Sequence, residues 1–138
     1  MFTNVLIAED HESANISIRE TVKELGITGV RFAYHCDDAL LHLKNSITGG
    51  EPYELLVADL SFDDDGRPQA ITDGTALIDA AKKLHPGLKT LVFSLERKEA
   101  VVAELFKEHG IDGYVCKGRK DAQALKEAIE LICKGKKY

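Results

Sequence analysis

The chain has 138 residues, 44% of them hydrophobic and 30% charged, with a formal charge of -5. That balance fits one soluble globular core and gives no general attraction for nucleic acid or an anionic membrane surface. Three cysteines (Cys36, Cys116, Cys133) without CxxC spacing exclude a disulfide framework and a zinc site and read as reduced thiols; with no apolar run near the ~18 residues of a membrane span and no signal peptide, a cytoplasmic protein is expected.

VLIA (5–8) is the first short apolar run, predicted as a strand, and it ends in Glu9-Asp10. Ile18, Val22 and Leu25 then fall at i, i+4, i+7, the period of a helix, which Gly26 stops. VRFAY (30–34) is the second strand; Leu40, Leu41 and Leu43 follow on a helix with Asp37 or Asp38 as its cap. LLVADL (55–60) runs straight into Asp59 and then opens into the acidic loop SFDDDGRPQAITDG. Ala76, Leu77, Ala80, Ala81 and Leu84 line a third helix, ended by His85-Pro86-Gly87. TLVFSL (90–95) is the fourth strand, and Val101, Val102, Leu105 and Phe106 precede Gly110 on the next helix. GYVC (113–116) is the fifth strand and leads into Lys117. Ala124, Leu125, Ala128, Ile129 and Ile132 form the last helix, ended by Gly135. The basic cluster Lys134, Lys136 and Lys137 reads as a solvated tail.

Five β-α units in succession predict a parallel sheet with helices on both faces and right-handed crossovers. VLIA, LLVA and LVF are apolar throughout rather than alternating, as strands covered on both faces are. Such sheets bind ligands beyond the carboxyl ends of their strands. Those ends carry Glu9-Asp10, Asp59, Ser94 and Lys117. Each residue alone fits a cap, a turn or a solvated surface; the combination points to a site.

Clustered carboxylates require a compensating cation when ionised together. Oxygen ligands with room for water suit Mg²⁺. An aspartate can attack phosphorus to give an acyl phosphate, with a metal and a lysine neutralising the transferring group and a hydroxyl holding one of its oxygens. The apolar run before Asp59 fixes that carboxylate rigidly at the sheet edge.

With VLIAED, VADLS, VFSL and GYVCKG, the chain resembles the receiver domains of two-component response regulators over nearly its whole length. The resemblance implies a flavodoxin-like (βα)5 three-layer α/β sandwich with parallel strand order 2-1-3-4-5. It implies that Asp59 takes a phosphoryl group from a sensor histidine kinase. On the same resemblance Asp10 would bind Mg²⁺ directly, Glu9 mainly through water, and Asp59 and the Ser61 carbonyl would complete the ligands. Ser94 would bind a phosphoryl oxygen, Lys117 would pair with the phosphate, and Tyr114 matches the aromatic switch position. AIELICKGKKY is similar to the last receiver helix of the NarL/LuxR-type transcriptional regulators. On that reading residues 1–134 are the receiver and 135–138 begin a linker to a helix-turn-helix domain absent from this chain. DNA contact then runs through that domain, a homodimer is possible, and no membrane partner or turnover activity is implied.

Three departures stand out. Asp73-Gly74 arrives late, as though an insertion of about seven residues followed Asp59. Leu95 replaces a small residue after Ser94, and Gly118 replaces the proline that follows the lysine. The acidic loop matches the calcium pattern Asp-x-Asp/Asn-x-Asp/Asn-Gly-x5-Glu only in part, through Ser61, Asp63, Asp65 and Gly66, with Thr72 where the glutamate belongs. The histidines at 11, 35, 42, 85 and 109 show no metal-ligand spacing, and His11 reads as a loop residue. The competing readings are a phosphorylation-independent interaction module, a standalone receiver in a phosphorelay, and a phosphohydrolase. The last wants a second acid two residues after the nucleophile, where this chain has Ser61.

Overall fold

The computed structural model describes residues 1–63, 66 and 70–138. Asp65 of the partial calcium pattern lies outside them. Strands and helices alternate throughout: β1 Asn4–Ala8, α1 Glu12–Glu24, β2 Gly29–Ala33, α2 Cys36–Thr48, β3 Leu55–Ala58, α3 Gly74–Leu84, β4 Lys89–Ser94, α4 Glu99–His109, β5 Gly113–Cys116 and α5 Asp121–Cys133. The five strands form one parallel sheet in the order β2-β1-β3-β4-β5. This is the flavodoxin-like three-layer α/β sandwich that the resemblance implies.

The apolar runs are continuous because each strand serves two cores. Successive side chains leave a strand on opposite faces. Val5, Ile7, Leu55, Val57, Leu91 and Phe93 pack with Ile18 and Val22 of α1 and Leu125, Ile129 and Ile132 of α5. Leu6, Leu56 and Val92 turn the other way, onto Leu43 of α2, Leu77 and Ile78 of α3 and Leu105 of α4. Removal of each large aliphatic side chain from water contributes about 1.5–3 kcal/mol, so the sheet is pinned from both sides. The register places Ala8 beside Ala58 and Ala58 beside Val92, which brings the next residues of β1, β3 and β4 to one edge.

Several boundaries differ from the sequence reading. β3 stops at Ala58 rather than Leu60. Neither Asp37 nor Asp38 is the cap of α2: the helix starts behind His35, and both acids lie in its first turn. Asp37 instead accepts the N–H groups of Ala70 (2.8 Å) and Ile71 (2.9 Å), tying the far end of the long β3–α3 connection to α2. Asp73 caps α3 by accepting the Ala76 N–H (2.8 Å) and the Thr75 hydroxyl (2.7 Å), and those two bonds lower its pKa. Gly110 ends α4 with φ +62°, a left-handed cap that a β-carbon disfavours.

The lysine tail is not simply solvated. The Tyr138 N–H bonds the Asp112 carbonyl (3.0 Å) and Lys137 Nζ lies 3.3 Å from Asp112 Oδ1, so the tail turns back onto the start of β5. All three cysteines are free, and burial pushes the Cys36 thiol up to about 12, which leaves it protonated and inert. Among the described residues there is no cis peptide bond, so Gly118 follows Lys117 through a trans one, and no helix is long and apolar enough to cross a membrane.

Candidate functional site

The carboxyl edge of the sheet gathers residues far apart in the chain. Glu9 follows β1 and is completely buried; Asp59 follows β3 and is 5% exposed; Ser94 closes β4 and is also 5% exposed. Lys117 follows β5, its backbone N–H held by the Ser94 carbonyl at 2.8 Å. Its ammonium bridges two acids, 2.8 Å from Glu9 Oε1 and 2.9 Å from Asp59 Oδ2. One cation therefore serves two carboxylates, with Asp10 beside them.

The electrostatics follow from burial. Desolvation raises the pKa of Glu9, and the nearby charge of Asp59 adds to the rise, while the bond to Lys117 opposes it. Burial alone pushes Lys117 down, but its bonds to Glu9 and Asp59 outweigh that and hold its pKa up. Two carboxylate oxygens stay under-satisfied: Glu9 Oε1 has only the Lys117 ammonium, at 2.8 Å, and Asp10 Oδ1 is buried without a hydrogen-bond partner. Buried oxygens of this kind normally find a donor or an ion.

The remaining polar contacts fix directions. Asp59 Oδ1 accepts the Leu60 N–H at 2.7 Å, and Asp10 Oδ2 accepts the Asp63 N–H at 2.7 Å. Ser61 lines the same cleft. Its bridge to Asp73 is closed by the Gly74 N–H on the Leu60 carbonyl (2.9 Å), a bond that does not use the Ser61 carbonyl. Gly74 is required there, since a β-carbon would stand 1.9 Å from the Asp59 carbonyl oxygen. Asp59, Leu60, Ser61, Ser94 and Lys117 open onto a cleft of about 880 Å³ whose other wall is the β4–α4 loop, residues 95–98.

Seven residues marked by the sequence thus meet the structure as follows. Glu9, Asp10, Asp59 and Lys117 form one cluster, with Ser61 and Ser94 on the cleft that Asp59 and Lys117 line. Tyr114 lies at the side, half-buried, its hydroxyl donating to the Glu96 carbonyl at 2.5 Å. Burial raises its pKa, and a hydrogen bond with Ser94 partly offsets the rise. Leu95 stands at the cleft mouth, 69% exposed.

The sequence reading missed His11. It precedes α1 and turns Nδ1 toward the acids, 3.1 Å from Asp10 Oδ1, 3.3 Å from Glu9 Oε2 and 4.0 Å from Asp59 Oδ2. Its one sequence signal was adjacency to the acidic pair. Asp63 was legible only as part of an acidic run.

The donor set fits a small hard divalent ion. Carboxylates of Glu9, Asp10 and Asp59 offer oxygens within 4.8 Å of one another, Asp10 carries a buried oxygen without a hydrogen-bond partner, and the cleft beside Asp59 leaves space for water. Mg²⁺ takes this kind of site.

No protein-family model matches the chain, and no curated protein does. Solved structures do. The isolated receiver domain of RcsB from Salmonella enterica serovar Typhimurium, solved with the phosphomimetic BeF3-, is 26% identical with a TM-score of 0.75, covering 100% of this chain and 93% of that one. A longer RcsB response regulator from Salmonella typhimurium, studied for DNA interaction, is 26% identical with a TM-score of 0.73; this chain is covered to 99% and spans only 62% of that one. A CheY-like receiver domain protein from Methanospirillum hungatei JF-1 shares the fold at 21% identity, with a TM-score of 0.74, over 97% of this chain and 96% of that one. In architecture the chain is similar, over its whole length, to response regulator receiver domains.

Proposed function

We propose that this receiver domain accepts a phosphoryl group on Asp59 from the phosphohistidine of a sensor kinase, with Mg²⁺ as cofactor, and relays the event to an output. The observation that carries the reading is the placement of Asp59: nearly buried, held by Lys117 at 2.9 Å, beside an acidic pair and at the wall of an open cleft.

An Asp59 oxygen forms a bond to phosphorus as the bond from phosphorus to the donor's imidazole nitrogen breaks, and the electron pair leaves with that nitrogen. Lys117 then exchanges the Asp59 carboxylate for a phosphoryl oxygen and keeps its pairing with Glu9. Ser94, whose hydroxyl now accepts the Glu96 N–H at 3.3 Å, turns to another phosphoryl oxygen. Glu9, Asp10, Asp59 and the Ser61 carbonyl would hold Mg²⁺, which supplies neutralisation of the charge on the transferring group. The protein gains a modification and does not turn over a substrate.

The readout starts in the β4–α4 loop. Ser94 and Tyr114 both bond Glu96, so a turn of Ser94 toward phosphate loosens one of two ties and biases α4 and β5, a local charge event with a distant consequence. We assign residues 1–134 to the receiver and 135–138 to the start of a linker. The output is then transcription through a helix-turn-helix domain outside this chain, with a homodimer on DNA in the cytoplasm. The similarity to RcsB, studied for DNA interaction in a chain of which this one spans 62%, supports that assignment.

Intact mass after incubation with acetyl phosphate and Mg²⁺ tests the reading. One phosphoryl adduct is expected, absent in Asp59→Asn. An unmodified wild type supports the phosphorylation-independent module instead, for which exposed Leu95 at the cleft mouth is the motive.

A further inference from the structure

The acidic site contains a nitrogen as well as oxygens. One ligand atom each from Glu9, Asp10, His11 and Asp59 lies within 4.8 Å of all the others. Ligands about 2.1 Å from an octahedral ion are about 3 Å apart when adjacent and about 4.2 Å when opposite. The spacings from His11 Nδ1, 3.1, 3.3 and 4.0 Å to the three acids, span that range before any ion draws them in.

The other side of the ring points the same way. His11 Nε2 faces Asp63 Oδ2 at 3.6 Å. A metal-bound imidazole characteristically directs its second N–H at a carboxylate, which fixes the tautomer and strengthens the ligating nitrogen. Asp63 is itself held in place, because its backbone N–H donates to Asp10 Oδ2 at 2.7 Å. That bond occupies one Asp10 oxygen and leaves the other, Oδ1, buried without a hydrogen-bond partner and 3.1 Å from His11 Nδ1. The start of the long β3–α3 connection thus braces Asp10 and brings a carboxylate to the outer side of the ring.

We infer that His11 is a nitrogen ligand of this site, oriented by Asp63, and that the site takes a first-row transition-metal dication in preference to Mg²⁺. The inference rests on the cation site of the proposed function. Imidazole adds little to a Mg²⁺ complex and strengthens binding along the series from Mn²⁺ to Ni²⁺. With the ion bound, Nδ1 would turn its lone pair to the metal in place of its contact with Glu9 Oε2, and the ring proton would sit on Nε2 toward Asp63.

The test uses the whole chain with each metal alone. Calorimetric titration should give tighter binding of Ni²⁺ than of Mg²⁺. His11→Ala should lower Ni²⁺ affinity about tenfold or more while shifting Mg²⁺ affinity less than twofold. Asp63→Asn should give a smaller loss in the same direction. With Mn²⁺ bound, electron spin echo modulation should show one imidazole nitrogen in the wild type and none in His11→Ala. Equal losses for Ni²⁺ and Mg²⁺ in His11→Ala, or no nitrogen modulation in the wild type, overturn the inference while leaving Mg²⁺-dependent phosphorylation of Asp59 intact. Failure of Asp59 to be phosphorylated, with nitrogen modulation present, sinks the proposed function and spares this one.

Discussion

The two ends of the sheet handle their acids in opposite ways. At the amino end, Asp112 is 8% exposed and well supplied: it accepts the Thr90 N–H at 2.9 Å and Lys137 Nζ at 3.3 Å, with Lys89 4.0 Å away. Glu54 at that end accepts the Thr3 hydroxyl, the Thr3 N–H and the Asn4 N–H through one oxygen, and these bonds lower its pKa. At the carboxyl end, Glu9, Asp10 and Asp59 share Lys117 and His11, and Glu9 is pushed the other way. Acids supplied by the chain's own donors hold a fold together. Acids left short of positive charge mark where something else is meant to bind.

Removing a cation at each end should separate the two most strongly. Lys117→Ala strands fully buried Glu9 and should cost about 3 kcal/mol, since breaking a buried pair leaves an uncompensated charge. Lys137→Ala, on an exposed side chain, should cost under about 1 kcal/mol. Urea denaturation measures both, and equal losses would remove the contrast.

Backbone packing at the carboxyl end gives the next effect. Gly74→Ala drives a β-carbon into the Asp59 carbonyl and should cost about 1–3 kcal/mol, while also slowing phosphoryl uptake because Asp59 itself is displaced. Denaturation and adduct formation followed on one sample check the pairing of the two losses.

The pH dependence should run in opposite directions. Glu9 binds its proton more tightly folded than unfolded, so its contribution is complete below its ordinary value of 4.5 and is lost as pH rises through the raised one. Glu54 is the reverse: its contribution is present above 4.5 and is lost as pH falls through its lowered value. Comparing Glu9→Gln and Glu54→Gln with the wild type by denaturation between about pH 3 and 7 should show the first flattening the loss on the alkaline side and the second flattening it on the acid side.

The smallest effect is steric. Leu95 stands at the cleft mouth, and Leu95→Ala should raise the rate of phosphoryl uptake from a small donor a few-fold without changing stability beyond about 0.5 kcal/mol. An unchanged rate assigns Leu95 to partner contact instead.

The fold was legible because its signals are local. VLIA, LLVA and LVF announce strands buried on both faces, and their ends name Glu9, Asp59 and Ser94 without reference to any other element. The parts that stayed hidden depend on how loops travel. Asp37 reads as a helix cap, yet it holds Ala70 and Ile71 across 33 and 34 residues, a bond no period encodes. His11 reads as a loop residue because only the side-chain direction, set after the chain has folded, brings Nδ1 to three acids. The sharing of Lys117 between Glu9 and Asp59 is likewise a matter of angström distances. The lysine tail looks solvated until Asp112, some 25 residues earlier, supplies its partner.

The central claim is that the carboxyl-end acids await a divalent cation. Thermal melts of the wild type and Asp10→Asn over a Mg²⁺ titration address it directly, because an ion that binds only the folded chain raises the melting temperature by mass action. The wild type should gain stability steadily with Mg²⁺ and Asp10→Asn should gain far less. A wild type that melts at the same temperature at every Mg²⁺ concentration, or an Asp10→Asn that follows it step for step, would contradict the account.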